Sequence, residues 1–337
     1  MLSLLDALPA GFFESPSTEL HRLLGGPTLI HLPGRRAEPL FVSILLHGNE
    51  DTGLKAMQQV LGRHRGKALP RCLSLFVGNV QAAREGMRRL DGQPDYNRVW
   101  PGCEAQGLAE EHMMAEVVEE MRRRRVFASI DIHNNTGLNP HYACINRLDQ
   151  RFFHLATLFS RIAVYFVRPV GVQAMAFAEL CPSVTVECGK AGASASDGHA
   201  AAFVEAALRL DHFPVHPVAR HDLDLYHTVV LVKVPETTRF TFGRDEADIV
   251  FEPNLDHFNF TELRSGTSFG RVAPGGGMPL QAFDDEGRDV AANYFEVREG
   301  ELLTRQSVMP AMLTSNERII RQDCLCYLME RLQYECF

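Results

Sequence analysis

Short apolar runs alternate with amphipathic stretches along the chain as far as about Asp211, which narrows the folds it can adopt. A short apolar run is typical of a buried strand, and an amphipathic stretch is typical of a helix that covers a sheet. Repetition of the two predicts strand and helix units around a largely parallel sheet. The first part of the chain is therefore predicted to be an α/β domain.

Particular runs locate these elements. Strands are predicted at residues 40–46, 73–77, 126–132 and 183–186. Helices are predicted at residues 50–64 and 107–125, where apolar side chains recur at helical spacing.

The pattern changes after Pro214, where short β-like runs are separated by glycine and proline. Such runs predict a smaller, mainly β domain. We expect residues 1–211 to form the α/β domain and residues 212–337 the mainly β domain. Residues 316–332 fit neither the period of a helix nor that of a strand, so both interpretations stay open.

Length and charge limit the class of protein. The chain has 337 residues, 45% hydrophobic and 23% charged, which is enough to bury the cores of two domains. Its 34 basic and 42 acidic residues give a net charge of -8, which argues against non-specific binding of nucleic acid. We expect a globular protein with no nucleic acid partner, and leave open whether it forms a homo-oligomer.

Signals for export or for the membrane are not apparent. Asp6 interrupts the only apolar run near the start, and no stretch approaches the roughly 18 apolar residues of a membrane helix. The 8 cysteines include no Cys-x-x-Cys pair, which indicates reduced thiols and argues against a cysteine zinc site. We expect a cytoplasmic protein with no membrane contact.

Three short segments beside predicted strand ends supply metal ligands and a base. They are His47-Gly48-Asn49-Glu50, Asp131-Ile132-His133 and Thr185-Val186-Glu187-Cys188-Gly189. Side chains at the carboxyl ends of strands in an open α/β sheet can meet in one crevice. Two imidazoles and one carboxylate leave a coordination position of zinc open for water, and a second carboxylate can act as base. This inventory predicts one catalytic Zn2+ per chain.

Each of these residues also has an ordinary structural interpretation. His47 and Glu50 could begin a helix, whose N-terminus attracts acidic side chains. His133 could be a buried core histidine; as a ligand, its second ring nitrogen would be oriented by Asp131 or a neighbouring asparagine. Glu187 could form an ion pair, because a buried carboxylate needs some partner. Taken together, the segments favour the metal site.

Asn97 and Arg98 lie in a fourth segment, Asp95-Tyr96-Asn97-Arg98-Val99-Trp100. A guanidinium can hold a carboxylate through two parallel hydrogen bonds, and an asparagine amide can add another. The pair predicts an anionic substrate, with an ordinary surface arginine as the alternative. The sequence has no Gly-x-Ser-x-Gly, the common signal of a serine hydrolase.

In their order along the chain, these motifs resemble the succinylglutamate desuccinylase/aspartoacylase family, a branch of the zinc carboxypeptidase-like fold. The segments that carry the resemblance are His47-Gly48-Asn49-Glu50, Gly78-Asn79-Val80, Asp95-Tyr96-Asn97-Arg98, Asp131-Ile132-His133-Asn134 and Val186-Glu187-Cys188-Gly189. The resemblance covers the α/β part well and the rest in outline. It implies a mixed, largely parallel sheet flanked by helices, with a smaller mainly β C-terminal domain.

The resemblance also implies how the metal and the base are used. His47, Glu50 and His133 would hold zinc. Glu187 would remove the proton of the attacking water and return it to the leaving amine. The expected activity is hydrolysis of the amide bond of an N-acyl amino acid, or of a related amide that bears a carboxylate.

Substrate binding is implied at further positions, with two departures from the family. Asn97 and Arg98 would bind the substrate carboxylate, and Arg88 and Tyr294 match further substrate-binding positions. Gln81 stands where aspartoacylases have the arginine expected to polarise the scissile carbonyl, which leaves either Gln81 or Arg88 for that task. The segment before Glu187, Phe177-Ala178-Glu179-Leu180, lacks an arginine that aspartoacylases use for the aspartate side chain. N-acetylaspartate is therefore not the expected substrate.

Two other functions stay open. A metallocarboxypeptidase acting on peptides or peptide-like conjugates would use the same zinc chemistry. A metal- or ligand-binding protein without turnover would need neither Glu187 nor Arg98, which argues against it.

Overall fold

The computed structural model describes residues 1–243 and 247–333. Contacts within the chain divide these residues into two units. The first comprises Met1–Asn134 and His141–Asp224, and the second comprises Asn135–Pro140 and Leu225–Gln333. The boundary predicted at residue 211 divides a catalytic α/β domain from a mainly β domain, and this division stays a prediction.

The first unit alternates strands and helices. Its strands are β1 (Ser3–Leu5), β2 (Thr28–Leu32), β3 (Leu40–Ile44), β4 (Leu73–Val77), β5 (Ala128–Asn135), β6 (Tyr142–Ile145), β7 (Ile162–Tyr165) and β8 (Ser183–Lys190). Its helices are α1 (Leu20–Leu24), α2 (Thr52–Arg63), α3 (Val80–Arg84), α4 (Ala109–Arg123), α5 (Gln150–Thr157), α6 (Gln173–Ala178) and α7 (Ser194–Arg209).

The strands of this unit form one sheet in the order β1-β2-β4-β3-β5-β8-β6-β7. Pairing is parallel between β1 and β2, β4 and β3, β3 and β5, and β6 and β7, and antiparallel between β2 and β4 and between β6 and β8. The predicted mixed, largely parallel sheet is confirmed. The predicted strands at 126–132 and 183–186 run further, so that His133 and Glu187 are themselves strand residues.

Helices cover both faces of the sheet. Phe41 and Ile44 on β3 point to opposite faces because side chains alternate along a strand. Phe41 packs in a buried cluster with Val117 of α4. On the other face Gly53 of α2 approaches Ile44 so closely that an added Cβ would lie 2.7 Å from its Cγ2. Both predicted long helices are present, although α2 begins at Thr52, after Glu50.

The second unit is mainly β, as predicted from the short runs after Pro214. Its strands are β9 (Asp224–Lys233), β10 (Phe240–Phe242), β11 (Ile249–Phe251), β12 (Ser268–Val272), β13 (Gln281–Phe283), β14 (Phe295–Arg298), β15 (Glu301–Thr304), β16 (Met309–Ala311) and β17 (Cys326–Arg331). One sheet has the order β10-β11-β12-β15-β14, and β9 pairs with both β13 and β17. Residues 316–332 contain both of the elements left open, helix α9 (Glu317–Gln322) and strand β17, and a further short helix is α8 (Ala291–Tyr294).

Two general expectations bear on the described residues. None of their helices is both long and apolar enough to cross a membrane. None of their cysteines forms a disulfide bond; the remaining one, Cys336, lies outside the described part of the chain.

Candidate metal centre

Strand pairing brings the first two motifs to the same edge of the sheet. Ser43 of β3 pairs with Asp131 of β5. His47 follows β3 in a tight turn in which Glu50 N donates to His47 O at 3.2 Å. His133 lies two residues beyond Asp131, so the turn and the end of β5 are side by side.

Three buried side chains converge at this edge. His47 Nδ1 lies 2.8 Å from Glu50 Oε1, His133 Nδ1 lies 2.8 Å from Glu50 Oε2, and the two Nδ1 atoms are 3.2 Å apart. One ligand atom from each residue lies within 4.8 Å of the others, so the three could hold a metal ion. The structure thus brings together the three residues proposed as ligands from the sequence.

The other nitrogen of each ring faces a carboxylate. His47 Nε2 lies 3.0 Å from Asp95 Oδ1, and His133 Nε2 lies 2.7 Å from Asp131 Oδ2. Each Nε2 thus faces an outer carboxylate, which can only accept, while each Nδ1 faces Glu50. With a cation at the two Nδ1 atoms, the one hydrogen of each ring would lie on Nε2. Histidine ligands of metals have this arrangement, in which an outer carboxylate fixes the ring. Of the orienting groups considered for His133, Asp131 is the one in place.

The electrostatics of this cluster fit a cation. Burial alone would lower the pKa of His133, but the carboxylates of Asp131 and Glu50 outweigh it and raise that pKa well above its usual value. Burial likewise opposes the shift at Glu50, whose pKa the two imidazoles lower far below its ordinary range. Protons shared between the rings and Glu50 account for these shifts. A divalent cation could take the place of those protons, and a His, His, Glu donor set suits zinc.

Glu187 is a buried carboxyl beside this cluster. Burial, reinforced by the charge of Glu50, raises its pKa to about 7, while His133, His47 and Arg88 act in the opposite direction. A carboxyl with a pKa near the working pH is suited to accept a proton and then return it. The charges of the candidate ligands therefore act directly on Glu187.

Arg88, rather than Gln81, lies at the cluster. Its Nη2 donates to Asp95 Oδ2 at 3.0 Å, and its Nη1 lies 3.7 Å from Glu50 Oε1. Gln81 is half-buried, and its Nε2 donates to Gly25 O at 3.0 Å. The side chain of Gln81 is thus engaged at the end of α1.

Asn97 and Arg98 are adjacent to the same carboxylates. Asn97 Oδ1 accepts from Gln173 N at 2.9 Å, and Asn97 Nδ2 lies 3.3 Å from His133 Nε2. Because His133 Nε2 donates to Asp131, it cannot also accept from Asn97, so that approach is a packing contact. Arg98 Nη1 donates to Asn97 O at 2.8 Å. Burial would raise the pKa of Asp95, but the positive charges of His47, Arg88 and, less strongly, Arg98 hold that pKa well below its usual value.

Tyr294 belongs to the second unit. It ends α8 and packs against the buried core of that unit, where burial raises the pKa of its hydroxyl. Its assignment to substrate binding stays a prediction.

The sequence reasoning assigned no role to Asp95, although it quoted the segment that contains it. Asp95 accepts hydrogen bonds from His47, from Arg88 and from Asn97 N at 2.8 Å. An aspartate two residues before the candidate substrate-binding pair was the available signal. Its partner is 48 positions away, which no local pattern reveals.

Gly48 permits the close approach of the segment that carries Arg88. A Cβ at Gly48 would lie 2.2 Å from Ala83 N, a distance that no side chain tolerates. Gly48 N also donates to Arg88 O at 3.0 Å. The glycine between His47 and Glu50 is therefore a packing requirement of the site.

Residues 39–211 match the family model described as the succinylglutamate desuccinylase/aspartoacylase catalytic domain, which is more than half of the chain. The chain belongs to this family. The family resemblance read from the ordered motifs is therefore confirmed. A separate search of curated protein sequences found no significant match.

Solved structures of the desuccinylase/aspartoacylase type share the fold. Succinylglutamate desuccinylase from Chromobacterium violaceum has a TM-score of 0.58 at 15% identity, covering 89% of this chain and 86% of the other. Murine aminoacylase 3 has a TM-score of 0.52 at 14% identity, covering 88% and 96%. The product-bound ectoine utilization protein EutE (DoeB) from Ruegeria pomeroyi has a TM-score of 0.53 at 15% identity, covering 89% and 88%. At such identities the likeness establishes the fold.

Proposed function

We propose that the protein is a zinc-dependent hydrolase that cleaves the amide bond of an N-acyl amino acid or a related carboxylate-bearing amide. One observation carries the proposal: His47, Glu50 and His133 converge on one point beside the buried carboxyl of Glu187. Membership of a family of deacylases supports the reaction class.

The metal would be held by Nδ1 of His47, Nδ1 of His133 and the carboxylate of Glu50. When bound, zinc supplies Lewis-acid activation of a water and of the amide carbonyl. Asp95 and Asp131 keep both rings in the tautomer that directs Nδ1 at the metal. Mere storage of a metal would not require a buried carboxyl of raised pKa beside it.

Glu187 moves the proton. As a carboxylate it removes a proton from the attacking water, and as a carboxylic acid it delivers that proton to the leaving nitrogen. A pKa of about 7 allows both protonation states to be reached at neutral pH. The amide bond breaks to give a carboxylate and a free amine.

Positive side chains next to the metal centre would position the substrate. Arg88 is our candidate for polarising the scissile carbonyl, because it lies at the cluster while Gln81 is bonded to Gly25 O. Arg98, with Asn97, is our candidate for holding the substrate carboxylate, which converts binding energy into orientation. These roles would favour acyl amino acids over neutral amides.

A substrate panel tests the proposal. Protein loaded with one zinc per chain is incubated with N-acetyl and N-succinyl amino acids and, in parallel, with blocked peptides that have a free C-terminus. Release of amine is measured before chelation, after chelation and after zinc is restored. We expect zinc-dependent hydrolysis of acyl amino acids. Preferential cleavage of peptides would instead identify a carboxypeptidase, and zinc binding without turnover a binding protein.

We also propose that residues 1–211 act as the catalytic domain and residues 212–337 as a separate, mainly β domain. The match to the catalytic-domain family model ends at residue 211, which supports this division.

A further inference from the structure

Asn134 follows His133 directly and is only 5% exposed. Its side-chain amide makes three hydrogen bonds. Nδ2 donates to Thr52 Oγ1 at 3.0 Å and to Gly189 O at 2.9 Å, while Oδ1 accepts from Thr52 N at 3.3 Å. Its backbone N donates to Glu50 Oε2 at 3.1 Å.

The partners of Asn134 lie on the two other segments of the site. Thr52 is two residues after Glu50, and Gly189 is two residues after Glu187. Gly189, within β8, has φ +70°, a left-handed conformation that favours glycine. One amide therefore links the turn of Glu50, the strand of His133 and the strand of Glu187.

The direction of these hydrogen bonds requires an amide. Both N–H groups of Nδ2 are used, one on a hydroxyl and one on a carbonyl. A carboxylate at position 134 would present an acceptor to Gly189 O, which is also an acceptor.

We propose that Asn134 is a positioning residue for the hydrolysis. It holds Glu50 and Glu187 in fixed geometry relative to His133 without contacting the substrate itself. The expected effect of Asn134 on turnover rests on the proposed function, whereas its expected effect on zinc binding rests on the metal site alone. Catalysis depends on such placement, because small displacements of reacting groups are costly.

Substitutions at both ends of the network test this. Asn134→Ala removes the amide. Thr52→Val removes the acceptor hydroxyl at nearly constant shape, whereas Thr52→Ser keeps the hydroxyl. Asn146→Ala is the matched control, because Asn146 Nδ2 also donates to a backbone carbonyl, Phe166 O at 2.9 Å, but at the end of β6 away from Glu187. Melting temperature monitors folding, and kcat, KM and the zinc dissociation constant are measured for each variant.

We expect Asn134→Ala and Thr52→Val to lower kcat by about 10- to 100-fold and weaken zinc binding about tenfold. KM should stay near its wild-type value, and Thr52→Ser and Asn146→Ala should resemble wild type. If kcat and zinc affinity of Asn134→Ala and Thr52→Val match wild type, the positioning role is wrong. If wild type itself binds zinc but hydrolyses nothing in the panel, the proposed function is wrong, and the zinc constants alone decide the role of Asn134. If Asn134→Ala does not fold, the Thr52 pair decides.

Discussion

The carboxylate of Asp95 lies 3.0 Å from Nε2 of His47, on the side of the ring remote from the Nδ1 that faces Glu50. This contact sets the tautomer of His47 and makes its Nδ1 a stronger donor to a metal. We predict that Asp95→Asn, which keeps the shape but loses the charge, weakens zinc binding about 10- to 100-fold. Chelator competition measures the effect. Asp91→Asn, which removes a charge from an exposed position four residues before Asp95, is the control and should bind zinc like wild type.

Glu187→Gln separates metal binding from proton transfer. Glutamine has the shape of glutamate but cannot accept the proton of the attacking water. We expect kcat to fall by about 10²- to 10⁴-fold while one zinc per chain is retained. Metal analysis and steady-state kinetics on the same sample check both points. Full activity of the zinc-loaded variant would remove Glu187 from the mechanism.

The activity should depend on pH through the same group. Burial, with the charge of Glu50, raises the pKa of Glu187 to about 7, and the nearby His133 lowers it only in part. A general base works deprotonated, so kcat/KM should fall as the pH drops below this value. The positive charge of bound zinc would lower the pKa of Glu187, so we expect the midpoint of the acid limb of kcat/KM at or below about pH 7. The limb should be absent from the residual activity of Glu187→Gln, and a wild-type profile without an acid limb would contradict the assignment.

The residues of the candidate metal centre were recognisable from sequence because each stands at or near the end of an apolar strand. An apolar run reveals a buried strand, and parallel strands gather their carboxyl ends at one edge. His47, Glu50 and His133 follow from that reasoning. Their convergence then depends on which strands are neighbours, and the pairing of β3 with β5 supplies it.

The outer contacts of the site were beyond the sequence, because they join residues far apart in the chain. Asn134 bonds to Thr52 across 82 positions and to Gly189 across 55. The contact of Asp131 with His133 is local, but the sequence left Asp131 and the neighbouring asparagines open as partners. The extended conformation of β5 decides for Asp131, because residues two apart on a strand share a face. The orientation of Gln81 likewise depends on the packing of α3 beside α1, which local periodicity does not specify.

Arg71 illustrates a stabilising contact of the same long-range kind. Its guanidinium is buried, donates to Glu38 O at 2.8 Å and Leu210 O at 2.9 Å, and stacks 3.6 Å from the ring centroid of Phe127. Arg71→Met keeps much of the volume but leaves these carbonyls without their donors. We expect a loss of about 3 kcal/mol in the free energy of unfolding, measured by chemical denaturation. Arg122→Met, at a largely exposed arginine, should change it little, and equal stability of both variants would contradict this account.

Arg88 and Gln81 are the two candidates for polarising the scissile carbonyl, and we expect their substitution to affect kcat differently. Arg88 is 9% exposed at its side chain and lies 3.7 Å from Glu50 Oε1, whereas Gln81 donates to Gly25 O. A cationic donor aimed at a developing oxyanion contributes about 10²- to 10³-fold to the rate, so Arg88→Ala should lower kcat by about that factor. Gln81→Ala should keep kcat within about twofold of wild type, because it removes only a peripheral hydrogen bond. Steady-state kinetics of the two variants on one N-acyl amino acid decide between them: loss of kcat in Gln81→Ala with Arg88→Ala unaffected would transfer the carbonyl-polarising role to Gln81.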